Sequence, residues 1–373
     1  MTALGNVPSP AQRLVLHAAL DDHEAGWRAW SAWSRAIDFD DVDHGSQRLL
    51  PLVYRNLGTE SFDPQVGGRL KGLYRRAWTR NQMLFRSTGA VIGMLRDKGI
   101  ESLVLKGASL AVRTYEDAGV RPMEDVDVLV PFERAADAAR AFEEAGWRAA
   151  KPNPLEWMRV HHSLNFLGPE GGSVDLHWYT LWQPAAEDPV WSAAVPLELG
   201  GVATLAPADS DQLLLTCVHG TPWSPLPPFR WIADAVTLIR RAGDGLDWDR
   251  VAAEAERREL TVASHAALEY LANEFGAPVP PETIARLAAA PSTRQERAAF
   301  RASCRPEGPL RNFLMARDRY RRLRDVDTAG PDPGNFISFA RNFWGLDNVW
   351  QLPLHAARSA FRRVLPGGGR SGA

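Results

Sequence analysis

The chain has 373 residues, 45% hydrophobic and 24% charged, with a formal net charge of -2 and two cysteines, Cys217 and Cys304. That is the composition of an ordinary soluble globular protein long enough for two or three domains, and the near-neutral balance argues against sequence-independent binding to long nucleic acids. The isolated cysteines indicate neither a disulfide framework nor a structural zinc site, and the expected setting is cytoplasmic, with no secretion leader and no apolar run long enough to span a membrane.

Residues 1–98 read as an N-terminal helical domain. Ala11 to Leu20 comes first, followed by a segment in which Trp27, Trp30 and Trp33 recur at the spacing of one helix face, the usual pattern of aromatics packed on a core. From Val66 to Arg96, residues Leu73, Ala77, Leu84, Thr88, Val91 and Leu95 keep helical intervals, and Gly99 stands where a stop is expected. Residues 99–205 then change period. Ser102 to Leu105 and Asp125 to Val130 read as strands, while Ala108 to Tyr115 and Phe132 to Ala145 read as helices. Ser163 to Leu167 and Ser173 to Trp178 form a hairpin around Gly168-Pro-Glu-Gly-Gly172. This mixed unit is too short for a doubly wound nucleotide-binding domain.

Helices return in residues 206–330, a C-terminal helical domain: Asp209 to Val218, Phe229 to Arg241, Trp248 to Phe275 and Pro281 to Ala289, with the proline-rich loop Thr221 to Pro228 between the first two. Residues 331–373 form a tail in which Leu354, Ala357, Phe361 and Leu365 share one side of a basic amphipathic segment, suited to docking on the protein's own surface or on an anionic membrane.

Chemistry concentrates at Asp125-Val-Asp127. Side chains at i and i+2 on a strand share a face, so the two carboxylates can hold a divalent cation together. The spacing recurs at Asp41 to Asp43 and Asp325 to Asp327, but those copies run into loops, whereas Asp127 leads into Val128-Leu-Val130 and Pro131. Metal-assisted phosphoryl or nucleotidyl transfer needs a third carboxylate, and Asp175, alternating with Val174 and Leu176, is the candidate. Upstream, Lys106-Gly107 joins a strand to a helix, where backbone N–H groups favour an anion and Gly107 permits close approach. Lys106 supplies a charge to a triphosphate or simply lies at a strand end. Arg121 contacts a phosphate or pairs with Glu124 or Asp117 on the surface.

Taken together, Leu105-Lys-Gly107, Tyr115, Arg121, Asp125-Val-Asp-Val-Leu-Val130 and Val174-Asp-Leu-His-Trp178 resemble a bacterial family of largely uncharacterised nucleotidyltransferases in the DNA polymerase β-like superfamily. The similarity continues through Leu213-Leu-Leu-Thr-Cys-Val-His-Gly220 and Arg230-Trp-Ile-Ala-Asp234, covering roughly residues 80 to 240. The resemblance implies an α+β fold, a small mixed-sheet core flanked by N-terminal and C-terminal helical domains. It also implies a Mg²⁺- or Mn²⁺-dependent transfer of NMP from an NTP, ATP by expectation, with release of pyrophosphate. Asp125, Asp127 and Asp175 are then the catalytic metal ligands. Lys106, Gly107, Ser109 and Arg121 are the nucleotide contacts, with Lys106-Gly107 in the place where the superfamily has Gly-Ser or Gly-Gly. His177, on the same strand face as Asp175, and His219 and Asp234, in the helical region, stand beside the metal or on the acceptor side; Asp234 can equally cap a helix or bond internally.

Competing readings are a non-catalytic nucleotide- or partner-binding module, a metal-dependent glycosyltransferase, and a catalytic zinc held by His161, His162, His177 or His219. The order of strand and acidic pair argues against the glycosyltransferase, and the histidine spacing matches no zinc pattern. The acceptor is left open among small molecules, peptides, proteins and RNA ends.

Overall fold

The computed structural model describes residues 4–58, 62–226, 229–326 and 333–354. The amphipathic segment expected beyond Leu354, the turn after Val326 that contains Asp327, and the end of the proline-rich loop at Pro227-Pro228 lie outside them. No described helix is long and apolar enough to cross a membrane.

Seven strands make one mixed sheet: β1 Leu103–Val104, β2 Val126–Leu129, β3 Arg148–Ala149, β4 Ser163–Leu167, β5 Ser173–His177, β6 Val195–Leu199 and β7 Val202–Ala206, in the order β3-β4-β5-β2-β1-β7-β6. The expected hairpin is β4-β5, antiparallel, with a single 3-10 turn at Pro169–Gly171. Beside it, β2 and β5 run parallel, with Asp127 opposite Asp175 and Leu129 opposite His177. The β6-β7 hairpin was not read from the sequence, although its turn at Gly200 and Gly201 takes φ of 59° and 79°, the conformation that such glycines permit.

Alternation along β2 and β5 separates two faces. Val126, Val128, Val174 and Leu176 pack beneath a helix of 34 residues, Pro64–Asp97, and beneath Ala135–Glu144. The long helix begins at an Asp63 cap, buries Ala77, Leu84, Thr88, Val91 and Leu95, and is followed by Gly99 at φ 65°. On the other face lie the carboxylates, backed by helices from both ends of the chain. Residues of Pro10–Leu20 and Leu50–Leu57 share one hydrophobic core with Asp209–Gly220, Arg230–Ala242 and Thr261–Phe275. Trp30 and Trp33 are buried in it with ring centroids 5.0 Å apart, and Trp27 packs on Phe62 at 4.8 Å, so these tryptophans fill a core.

Two elements differ from expectation. The helix expected over Trp248 to Phe275 is two helices, Trp248–Arg257 and Thr261–Phe275, because Glu259 takes φ 51° and Arg258 turns inward to bond Thr180 and Glu187. The helix expected from Ala108 begins at Lys106 and widens into a π turn at Leu110–Thr114. The other Asp-Val-Asp copies have structural places: Asp43 caps a short helix and Asp325 ends the helix Pro309–Asp325.

Candidate active site

The parallel register of β2 and β5 sets the site. Because Asp127 and Asp175 are paired across it, both project from the same face, and Asp125, two residues before Asp127, follows them. His177 lies two residues beyond Asp175 and is fully buried; its Nε2 is 3.0 Å from Asp127 Oδ1 and 3.0 Å from Asp175 Oδ2. Its Nδ1 donates to the carbonyl of Tyr179 at 3.0 Å, which fixes the ring. Lys106 Nζ donates to Asp127 Oδ1 at 2.9 Å.

Charge explains how these groups ionise. For Asp127, burial opposes ionisation, but Lys106 and His177 outweigh it and hold the carboxyl well below the usual carboxylate range. For His177, burial and the Lys106 cation oppose protonation, yet Asp175 and Asp127 lift it to about 9, so it is an imidazolium at neutral pH. Asp125 has no such partner: burial, then the charges of Asp127 and Asp175, push it up to about 6. Surplus negative charge therefore collects at Asp125.

A divalent cation fits this donor set. Asp127, Asp175 and His177 present ligand atoms within 4.8 Å of one another; Asp125 stands outside that group, close enough for the charges of Asp127 and Asp175 to raise it. With Nδ1–H held by Tyr179 O, His177 would offer an Nε2 lone pair to a cation only on losing the proton it shares with Asp127 and Asp175.

The Lys106-Gly107 junction is built closely against this cluster. Lys106 takes φ 45°, a left-handed conformation that costs a non-glycine residue about 1–3 kcal/mol where the surroundings impose it. Gly107 is required by contact: a Cβ there would stand 2.5 Å from Arg121 Nη1 and 3.0 Å from Met123 Sδ. Gly107 and Leu110 line the cleft, but Ser109 is buried at 1% exposure and faces away, because the helical turn that aims positions 107 and 110 rotates 109 inward.

Arg121 and Asp234, read from the sequence as a phosphate contact and an acceptor-side group, bind each other. Arg121 Nε and Nη2 donate to the two Asp234 oxygens at 3.0 and 2.8 Å, and the Tyr115 hydroxyl donates to Oδ1 at 3.0 Å. The pair is almost fully buried, so it ties the Arg230–Ala242 helix to the loop before β2. Asp117 bonds Arg55 and Tyr74 instead.

A cleft of about 460 Å³ opens over the cluster, lined by Lys106, Gly107, Asp125, Asp127, Asp175 and His219 and walled by Arg48, Arg121 and Arg230. Arg48 and Arg230 were not singled out from the sequence. Both donate to the Pro122 carbonyl, and among the described residues neither has a carboxylate in ion-pair contact. Burial, then Arg121 and Arg48, push Arg230 well below the usual arginine range. Two weakly compensated guanidiniums facing three carboxylates suit a ligand that is anionic at one end and metal-bound at the other. The spacing of Arg230 and Asp234, four apart on one helix, was a readable signal for Arg230; nothing local marks Arg48. His219 is exposed to the cleft, and the Lys106 cation pushes its imidazole down to about 4, leaving it neutral. His161 and His162 are also held low, chiefly by burial; His161 is stacked between Trp157 and Phe343, whereas His162 lines the cleft and packs edge to face on His177 at 5.3 Å.

Two solved structures are similar at 13% identity. One is the antibiotic-resistance factor ANT(2'')-Ia, with a TM-score of 0.35 over 51% of this chain and 97% of that one. The other is an antigenic nucleotidyltransferase-like protein from Paracoccidioides brasiliensis, with a TM-score of 0.37 over 56% of this chain and 94% of that one. Among curated proteins none matches. A family described as uncharacterised nucleotidyltransferase matches residues 45–276, well over half of the chain and the whole stretch from Arg48 to Asp234 that builds the cleft, and to that family the protein belongs.

Proposed function

We propose that this protein transfers a nucleoside monophosphate from an NTP, ATP by preference, to an acceptor hydroxyl, with Mg²⁺ or Mn²⁺ and with release of pyrophosphate. The carrying observation is the register that sets Asp127 beside Asp175, with Asp125 next to them, under a cleft whose far wall holds Arg48 and Arg230. Asp125, Asp127 and Asp175 would hold the cation, with His177 Nε2 beside them; when bound, it supplies charge neutralisation at the phosphates.

The chain's own groups account for the remainder. Arg48 and Arg230 bind the β and γ phosphates, and Gly107, at the start of its helix, lets a phosphate approach backbone N–H groups. In the transfer, the acceptor oxygen forms a bond to the α-phosphorus, the bond from that phosphorus to the bridging oxygen breaks, and pyrophosphate leaves. The acceptor proton passes to a cleft carboxylate. Lys106 and His177 hold Asp127 ionised and fixed in direction.

Calorimetric titration of Mg²⁺-ATP into the wild type and Asp127→Asn tests this. Binding that requires Mg²⁺ and is lost in the variant supports the reading; equal binding in both refutes the role of Asp127. A second reading, a nucleotide-binding module without catalysis, is favoured by the two cations already bonded to Asp127. It predicts ATP binding that persists unchanged in EDTA.

A further inference from the structure

Behind the catalytic cleft lies a second cavity, of about 490 Å³. The two spaces share three wall residues, Lys106, His162 and His219, so the second opens directly beside the carboxylates. Its walls come from seven stretches of the chain, among them Leu181 and Trp182 after β5, Val218 of Asp209–Gly220, Met315 of Pro309–Asp325, and Phe343 with Trp344 at the end of Phe336–Phe343.

The character of this space differs from that of the cleft. Where the cleft is lined by carboxylates and guanidiniums, the surface of this cavity is mainly aromatic and aliphatic and no carboxylate among the described residues lines it, with Thr180, Gln183, Ser303 and Asn312 as neutral polar groups among its walls. Trp182 and Phe343 meet edge to face with centroids 5.4 Å apart, and His162 packs edge to face on Trp182 at 5.7 Å. Its one arginine, Arg311, has its ion partner Glu307 no closer than 4.0 Å, and among the described residues its Nε has no hydrogen-bond acceptor. Trp182 Nε1 is buried without a partner as well. Unmet buried donors are costly, and a ligand oxygen reached by a small side-chain adjustment would satisfy them.

Resting on the nucleotidyltransferase reading, we infer that this cavity seats the acceptor, and that the acceptor is a small molecule with a flat apolar body, a hydroxyl at the Lys106–His219 end and an anionic or carbonyl oxygen at the Arg311 end. The volume and the mainly apolar wall are those of a small-molecule site. The charged triphosphate belongs to the arginine-walled cleft, which leaves the apolar space for the other substrate.

The test uses 8-anilinonaphthalene-1-sulfonate, an aromatic body with one anionic group, read by energy transfer from tryptophan. Wild-type protein should bind one probe per chain, saturably, both with and without saturating Mg²⁺-ATP. Met315→Trp, which fills the cavity, and Arg311→Leu, which removes its cation, should each weaken the probe at least tenfold while Mg²⁺-ATP binding stays within twofold. Either variant suffices if the other fails to fold. Competitive displacement of the probe by ATP would assign the cavity to the nucleotide and overturn the inference, as would unchanged probe affinity in a folded variant. If wild type binds Mg²⁺-ATP but no probe, the acceptor assignment alone falls; if it binds the probe but no Mg²⁺-ATP, the nucleotidyltransferase reading falls and takes the assignment with it.

Discussion

Replacing Asp125 by Asn should stabilise the metal-free protein at neutral pH. Burial, followed by the charges of Asp127 and Asp175, raises the Asp125 carboxyl from 3.8 to about 6. Since the folded-state value lies above the unfolded one, the folded chain holds this proton more tightly. The associated stability is fully present below pH 3.8 and is lost as pH rises through 6. An amide keeps the shape and carries no charge, so the variant escapes that loss. Integrating between the two values gives a gain over wild type of about 1 kcal/mol at pH 4.5 and about 3 kcal/mol at pH 7.5. Urea unfolding in EDTA across this range measures it. Adding Mg²⁺ should narrow the gap by stabilising the wild type more than the variant, because the cation relieves a repulsion to which the uncharged amide contributes nothing. A difference that does not change with pH, or a variant less stable than wild type at pH 7.5, would refute the claim that surplus negative charge gathers at Asp125.

Three further substitutions probe the walls of the site. Asp234→Ala leaves the buried Arg121 guanidinium without its partner and should cost about 3–5 kcal/mol in urea unfolding, whereas the double change Arg121→Met with Asp234→Leu should recover most of it; a single-variant loss below about 1 kcal/mol would show the pair to be dispensable. Gly107→Ala brings a Cβ within 2.5 Å of Arg121 Nη1, which Asp234 prevents from yielding, so stability should fall by about 1–3 kcal/mol. Weaker Mg²⁺-ATP binding should accompany it, and wild-type values on both counts would contradict the close packing. Arg230→Met removes a cation that burial disfavours, so its melting temperature should match or exceed that of wild type while the Kd for Mg²⁺-ATP rises at least tenfold, about 1.4 kcal/mol. An unchanged Kd would remove Arg230 from the phosphate site.

Much of the chemistry was legible along the chain because it depends on short-range periodicity. Asp125 and Asp127 share a face whatever the fold around them, and the alternation of Val174, Asp175 and Leu176 announces one polar face and one buried face. The glycine-bounded hairpin and the long helix ending before Gly99 are equally local. The β6-β7 hairpin had a readable turn at Gly200-Gly201 that was passed over, and the break at Glu259 had none, since nothing in Trp248 to Phe275 forecasts a left-handed glutamate.

Pairing between distant segments was not legible. That β5 lies parallel to β2 with Asp175 opposite Asp127, that Arg121 turns its Nε–Nη2 edge onto Asp234, and that Arg48 joins Arg230 at the Pro122 carbonyl are all long-range contacts. The apolar cavity draws residues from seven stretches between Lys106 and Trp344, spread over more than two hundred positions. Periodicity tells a side chain which face of its own element it occupies, and from that this sequence determined the acidic strand, its neighbours and the class of chemistry. Which faces then meet depends on burial, a force proportional to apolar area and blind to partner, so the register of the carboxylates, the arginine wall and the cavity beside them were decided only when the whole chain packed.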